Sequence, residues 1–553
     1  MATAANGARR SRLIHLMTIV TVAFLTTTIA VVLTVVILRN NILNVQSGGM
    51  QNVADSSTTM PAGGRPTLES LSTTAPSTSS SDESGGIDYN QVLRNYCEEA
   101  DSNYSYTLLP EYTLQGLAKN VTTFVLNMTS QAWSHPDAVG ERHIWWHYLA
   151  ITIPNDIVYE DAALVFITDG VNTDSPPDPS SDTDILSAIQ LAEGLGMVVA
   201  TLFQVPNQPI RFTSDSSGRD RVEDAIIAYT MREFYTKAPD QPRLLLQVPM
   251  TKSVVRAMDT VSSFASSKIN RFYLTGLSKR GWAAWLTAAV DDRVVGVMPQ
   301  VFDLLSIKEN MRHYYRSLQG WTFALADYYR ENLTANLDEP LLELAVEVID
   351  PIEYKDELLM PKYIILSGND EFFLPDNTHY FLNELKGVTF VRFHPNVGHN
   401  NAQRRTFILQ EIQGFVTNVE ENWSFPEISW SRSSNETHGE INMETDQTPL
   451  KVTAYKALTT NNEGRRDFRL HVLSVQRPVP SFVMYEEINV TQSNNMFVAV
   501  TETPDSGWAC FFIEAEYEAA KGRVLRVTSE VNIIPDIFPF ESCMGQDCHG
   551  TLV

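Results

Sequence analysis

The chain has 553 residues, 41 of them basic and 66 acidic, for a formal net charge of -25. That length exceeds what one core usually supports, so two folded domains plus non-globular segments are expected. The acidic balance argues against nucleic acid and against adhesion to an anionic lipid surface, and it names no partner by itself.

In chain order, the first strong signal is the run from Leu13 to Leu38, "LIHLMTIVTVAFLTTTIAVVLTVVIL", which has no formal charge and is long enough to cross a bilayer with some tilt. A cleaved signal peptide is the competing reading. Its apolar core usually runs only about 7–15 residues before a small-x-small site. Arg9, Arg10 and Arg12 precede the run and Arg39 alone follows closely, so residues 1–12 are expected in the cytosol and the bulk of the chain outside or in the lumen. The expectation is a single-pass membrane protein. Residues 39–90, rich in Ser, Thr, Pro and Gly, read as a disordered stalk.

Seven N-x-S/T sequons, at Asn103, Asn120, Asn127, Asn332, Asn422, Asn435 and Asn489, all lie beyond the anchor, as secretory glycosylation requires. So do the four cysteines, Cys97, Cys510, Cys543 and Cys548, and an even number in an oxidising compartment suggests disulfides. Three connectivities exist, of which Cys543 with Cys548 is the local one. Zinc is the rival use, but there is no second close Cys/His pair to supply its ligand spacing.

Residues 91–420 alternate strand-like and helix-like segments. "HIWWHYLAITIP", "AALVFITDG", "MVVATLFQV", "RFYLTG", "VVGVMPQVFD", "PKYIILSGND" and "VTFVRFHPNVGHN" read as strands. Between them "TDILSAIQLAEGLG", "RVEDAIIAYTMREFYTK" and "TKSVVRAMDTVSSFASSK" read as helices, and "AQRRTFILQEIQGFVTNV" follows the last strand. Apolar strands separated by helices imply an α/β domain with a mostly parallel sheet covered on both faces.

In such a sheet the chemistry gathers at the carboxyl ends of the strands. "RFYLTG" delivers Gly276-Leu277-Ser278-Lys279-Arg280-Gly281, a strand, a tight turn with serine and an immediate helix. That is the form of a nucleophile elbow, which pushes a hydroxyl out of the sheet. The usual pattern is G-x-S-x-G. Here the second glycine falls one place late, with Arg280 in its position. A serine needs a base and the base an orienting carboxylate. Later strand ends supply Asp370 and then His399, in the order Ser, acid, His. Asp303 is the rival acid and His394 the rival base.

Oxyanion donors are expected from the Lys279 amide, which follows the nucleophile, and from the turn "FITDGVN", at the amides of Gly170 and Val171. Asp169 either orients that turn or only forms it. The side chains of Lys279 and Arg280 are read as solvent-exposed salt-bridge partners. The alternative use is to favour an anionic substrate or the oxyanion. A helical insertion at about 305–350 falls where hydrolases of this type carry a cap. Its Tyr314, Tyr315, Trp321, Tyr328 and Tyr329 either line a substrate cleft or belong to the core.

The runs "LTGLSKRGWAAWLTAAVDDRVVGVMPQVFD", "HIWWHYLAITIP", "DPIEYKDELLMPKYIILSGNDEFFLPDNTHYF" and "PNVGHN" resemble the PhoPQ-activated pathogenicity-related family over roughly residues 90 to 540. That family resembles the α/β-hydrolase superfamily. The resemblance implies Ser278 as nucleophile, Asp370 as acid and His399 as base, with no metal or cofactor. A similar displaced glycine occurs in glucuronoyl esterases. The family implies no agreed substrate, and the anchor and stalk lie outside the likeness.

Residues 421–446 read as a polar linker, and 447–553 as short strands forming a small β-sandwich that binds a protein partner, shields the catalytic face or stabilises the first domain. Two functions follow. One is a membrane-anchored serine hydrolase acting on a small-molecule or peptide ester or amide. The other is an extracellular signalling or adhesion protein whose triad is idle.

Overall fold

Eight strands form the frame of the described protein: β1 (Val121–Ala132), β2 (Ile144–Pro154), β3 (Ala162–Ile167), β4 (Val198–Leu202), β5 (Arg271–Leu277), β6 (Val294–Gln300), β7 (Lys362–Ser367) and β8 (Thr389–His394). This computed structural model describes residues 87–553 apart from 116–119, 135 and 461–463. The residues expected to form a cytosolic tail (1–12), an anchor (13–38) and all but the end of a stalk (39–90) lie outside the described residues. Among the described residues no helix is long and apolar enough to cross a membrane.

The strands run in the order β1-β2-β4-β3-β5-β6-β7-β8. β3 through β8 pair in parallel, and β2 meets β4 antiparallel. β4 and β7 are buried along their whole length, as a parallel strand covered on both faces must be. Alternate side chains feed two cores: Phe272 and Leu274 of β5 point to one and Tyr273 to the other.

Nine helices carry the rest of the argument: α1 (Tyr89–Glu98), α2 (Thr183–Leu195), α3 (Asp224–Lys237), α4 (Gln247–Phe264), α5 (Lys279–Val290), α6 (Ile307–Leu318), α7 (Ala326–Arg330), α8 (Pro340–Ile349) and α9 (Arg405–Glu420). α2 starts where the Asp182 carboxylate accepts the amides of Asp184 and Ile185, and it stops at Gly196, whose φ is 69°. Ile189 of α2 and Phe415 of α9 belong to the same core as Tyr273. Val254 of α4 and Trp285 of α5 belong to the opposite one, together with the cap helices α6 and α8.

The C-terminal third departs from the sequence expectation. It does not build a separate β-sandwich. Arg523–Thr528 pairs antiparallel with β8, and Ala509–Ala519, Lys451–Leu458 and Glu486–Ile488 follow in turn, so the central sheet simply continues. The stretch 421–446 is no linker. It carries strands Ile428–Ser434 and His438–Thr445, which join Met496–Glu502 and Val490–Ser493 in a second sheet. The reason is the edge of β8: unpaired backbone groups there would be an adhesive surface, and the following chain covers them. Arg392 of β8 reinforces the junction, pairing with Glu411 of α9 at 2.7 Å and with Glu514 of the added strand.

Cys543 and Cys548 form a disulfide with Cα atoms 4.9 Å apart. The other two cysteines do not pair, which corrects the expectation of a second bridge. Cys97 lies on the buried face of α1 and Cys510 in the added strand Ala509–Ala519, both buried, and burial pushes each thiol up to about 12. All seven sequon asparagines are exposed. A thiol reagent such as DTNB is expected to find no reactive thiol in the native protein and two after unfolding without reductant. Four thiols, or any fast native reaction, would contradict this arrangement.

Candidate active site

Ser278 stands between the end of β5 and the start of α5 with φ 56° and ψ -126°. This is sparsely populated backbone for a residue with a side chain, the kind of strain a nucleophile elbow stores. Two bonds hold it: the Ser278 amide donates to Gln300 O at 2.8 Å, and the Trp282 amide donates to Ser278 O at 3.0 Å. A Cβ at Gly276 would lie 2.7 Å from the backbone carbon of Arg280, and one at Gly281 would lie 3.0 Å from Gly276 O. Glycine at both places is therefore steric, and the late second glycine sits where a side chain would meet the backbone of Gly276 and Gln300. The Ser278 hydroxyl makes no hydrogen bond among the described residues. Nucleophile-to-base contacts are commonly loose before substrate binds.

β7 leads to Asp370, three residues past its end, and β8 leads to His399. His399 Nδ1 lies 2.9 Å from both Asp370 oxygens. Asp370 Oδ1 also accepts the amides of Phe372 at 2.7 Å and Phe373 at 3.1 Å, which fixes the carboxylate. With Nδ1 held there, Nε2 is left for proton transfer. The His399 ring packs on Phe372 at 4.3 Å and Phe373 at 5.7 Å between ring centres, and both phenyl rings line the same cavity as Ser278.

The rivals have other work. His394 is buried within 3.1 Å of Glu411, without hydrogen-bond alignment, so it is a core group. Asp303 is buried, and burial followed by the nearby Asp370 charge pushes its carboxyl well above the usual range. Both causes favour its neutral form beside Asp370.

Glu371 was not singled out in the sequence, although it adjoins Asp370. Its Oε2 accepts the His399 amide at 2.7 Å and its Oε1 meets His471 Nδ1 at 2.6 Å. His399 is thus held by a bond to its ring and another to its backbone.

The oxyanion donors divide. The Gly170 amide makes no hydrogen bond among the described residues, and the Lys279 amide, first in α5, has no intrahelical acceptor. Val171 is a correction: its amide donates to Asp174 Oδ2 at 2.7 Å and is not free. Asp174, not Asp169, orients that turn.

The cations are a second correction. Lys279 and Arg280 are buried and not solvent-exposed. Arg280 forks onto Glu223 at 2.7 and 2.6 Å and donates Nε to Val205 O at 2.6 Å. Lys279 Nζ reaches Glu223 at 2.7 Å and Asp224 at 3.0 Å. Three of the five N–H donors of Arg280 are thus committed to Glu223 and Val205. Burial opposes the Glu223 charge, but the two cations overcome it and hold its carboxyl far below the usual range. No local motif flags Glu223, because its partners lie more than fifty positions away.

Of the cap aromatics, Tyr328 lines the cavity and donates its hydroxyl to Asp224 at 2.9 Å. Tyr314 is buried with its hydroxyl on Phe372 O. Trp321 is buried against the C-terminus, donating to Cys548 O at 2.9 Å, and Tyr315 packs on it at 6.0 Å. Tyr329 stacks on His549 at 4.4 Å. These four are packing residues rather than cleft lining.

The family model described as PhoPQ-activated pathogenicity-related protein matches residues 93–469. The chain is 32% identical over 478 residues to Autocrine proliferation repressor protein A of Dictyostelium discoideum, covering 84% of this chain and 94% of that one. Among solved structures it is similar to acetyl xylan esterase 1 from Thermoanaerobacterium sp. at 14% identity and a TM-score of 0.41, covering 61% of this chain and 94% of that one. It is also similar to a glucuronoyl esterase from Solibacter usitatus at 12% identity and a TM-score of 0.35, covering 61% and 92%.

Replacing Glu223 tests the charge cluster. Glu223→Gln leaves two buried cations without their counter-charge. The expected loss at pH 7 is about 3 kcal/mol, the low end for a broken buried pair, because the Glu223 side chain is 32% exposed. A carboxyl whose pKa is lowered on folding stabilises above its unfolded pKa, near about 4.3, and the gain is lost as pH falls through the folded value. Urea midpoints of wild type and variant should therefore lie closer at pH 3 than at pH 7. A gap that widens in acid would refute the assignment.

Proposed function

The chain belongs to the PhoPQ-activated pathogenicity-related family, and from that premise we propose that it is a serine hydrolase that cleaves an ester or amide through an acyl-enzyme. The observation that carries this reading is the bond from His399 Nδ1 to the Asp370 carboxylate, 2.9 Å to each oxygen, beside a serine held at a strained strand-to-helix turn. All three residues stand at the carboxyl ends of parallel strands.

The step is acyl transfer. Ser278 Oγ forms a bond to the substrate carbonyl carbon while His399 Nε2 takes the hydroxyl proton. The developing oxyanion meets the Gly170 and Lys279 amides at the positive end of α5. Collapse breaks the bond to the leaving oxygen or nitrogen, which departs with the proton from His399. Water, deprotonated by the same histidine, then adds to the acyl carbon and restores Ser278.

The proposed setting is the outer side of a membrane, tethered through residues 13–38. The Cys543–Cys548 disulfide and the exposure of all seven sequon asparagines support it. A second reading is favoured by the 32% identical relative named as a proliferation repressor: a secreted or displayed signal on a hydrolase frame, with the triad idle.

A fluorophosphonate probe applied to the full chain in detergent is expected to label Ser278 and to leave Ser278→Ala unlabelled. Asp370→Asn, which permits the wrong tautomer of His399, should slow acylation about 10⁴-fold. A folded sample with no Ser278-dependent labelling would reject the hydrolase and leave the signalling reading.

A further inference from the structure

The cavity at Ser278 has a composition that speaks to substrate. Its volume is about 70 Å³. The cap contributes Met311, Leu325, Leu333, Leu337, Leu342 and Val346 to its wall, and Trp282 and Phe302 form the side toward the sheet. The charged groups at its rim are already matched. Lys279 is shared by Glu223 and Asp224, Asp224 also takes the Tyr328 hydroxyl, and Lys308 pairs with Glu343 at 3.0 Å.

We propose that this cavity is the acyl pocket, and that the acyl half of the substrate is a short, uncharged alkanoyl group of about four carbons. The inference rests on the serine-hydrolase reading and narrows it. A charged acyl group such as a uronoyl, a succinyl or an acidic amino-acid residue would lose its water here and meet no free counter-charge. An apolar cavity of about 150 Å³ holds the six carbons of benzene, so one of about 70 Å³ holds about three carbons beyond the carbonyl. That is a butyryl group.

The site also separates the two halves of the substrate. The side chain of His399, which must return its proton to the leaving group, is 16% exposed, whereas that of Lys279 beside Ser278 is 8% exposed. The acyl chain enters the enclosed side under the cap, and the leaving group faces the more open side at His399. Selectivity therefore falls on the acyl chain and not on the alcohol or amine.

The test uses p-nitrophenyl esters from acetyl to decanoyl on the full chain in detergent. Each methylene that enters the cavity adds roughly four-fold, so kcat/KM should rise roughly fifteen-fold from acetyl to butyryl and fall at least ten-fold by decanoyl. Val346→Phe, which fills the cap wall, should move the optimum toward acetyl. Because that variant alters a buried position, a second measurement uses the wild type: alkyl fluorophosphonates of graded length, with propyl on phosphorus expected to react fastest at Ser278.

Fastest reaction with acetyl, no dependence on chain length, or preference for a succinyl ester would overturn the acyl-pocket assignment while leaving the hydrolase intact. Failure of every probe to label Ser278 would overturn both together.

Discussion

The nucleophile turn depends on one carboxylate. Lys279 and Arg280 occupy the first two positions of α5, where the helix dipole is positive and cations are least favoured. Both are buried. Left alone they would repel each other and the helix end, and the elbow would have every reason to unwind. Glu223 answers both at once, with a two-bond fork to Arg280 and a single contact to Lys279. It is itself held at φ 53°, just before α3, in nearly the same unusual backbone conformation as Ser278. Two strained turns face each other and are joined through charge. The same residue reaches further: the Glu223 backbone amide donates to Gln208 Oε1 at 2.6 Å, and Gln208 Nε2 donates to Gly170 O at 3.3 Å. The turn at Gly170 and the start of α5 are thus positioned by one residue, Glu223.

A second network brings the C-terminal third into the site. Asp376, just past the acid loop, holds His313 of the cap at 2.8 Å and also binds Arg466. Burial alone would raise its carboxyl, but the Arg466 and His313 charges hold it well below the usual range. His471 secures Glu371, which secures the backbone of His399. The final residues bind the cap directly: the Trp321 amide donates to Thr551 O and the Val553 amide to Trp321 O, each at 2.8 Å. The disulfide at 543–548 closes a short loop immediately before that contact. Sheet extension, cap and the loops carrying Asp370 and His399 are therefore one mechanical body.

What could be read from the sequence follows the range of the interaction. Ser278, Asp370 and His399 were legible because strand ends are local signals: an apolar run, a glycine and a polar residue mark each one, and the order of chemistry along the chain does the rest. The cap was legible as an interruption between two strands. Residues 447–553 were legible as strands, but not as a continuation of the first sheet, because antiparallel pairing of Thr528 with Val391 is set by contacts 137 residues apart. The same limit explains Lys279 and Arg280. A cation on a helix face is usually solvated, and nothing within α5 reveals that Glu223 waits across the turn. Tyr314 and Trp321 failed as cleft candidates for a related reason, since helical spacing puts an aromatic on a face without saying what that face meets.

The displaced glycine, the one departure from the elbow pattern, is accounted for by these two constraints together. At the usual site of the second glycine the helix would have to present only backbone. Here that demand falls one residue later, where a Cβ at Gly281 would meet Gly276 O at 3.0 Å and the backbone of Gln300 at 3.3 Å. Position 280 is then free to carry a side chain, provided that its own backbone meets a glycine, and Gly276 supplies that. The arginine placed there is the group that grips Glu223. A glycine at 280 would leave Lys279 as the sole cation on that carboxylate and would remove the fork that ties α5 to the start of α3. The shift of one residue is thus the means by which this elbow gains its counter-charge.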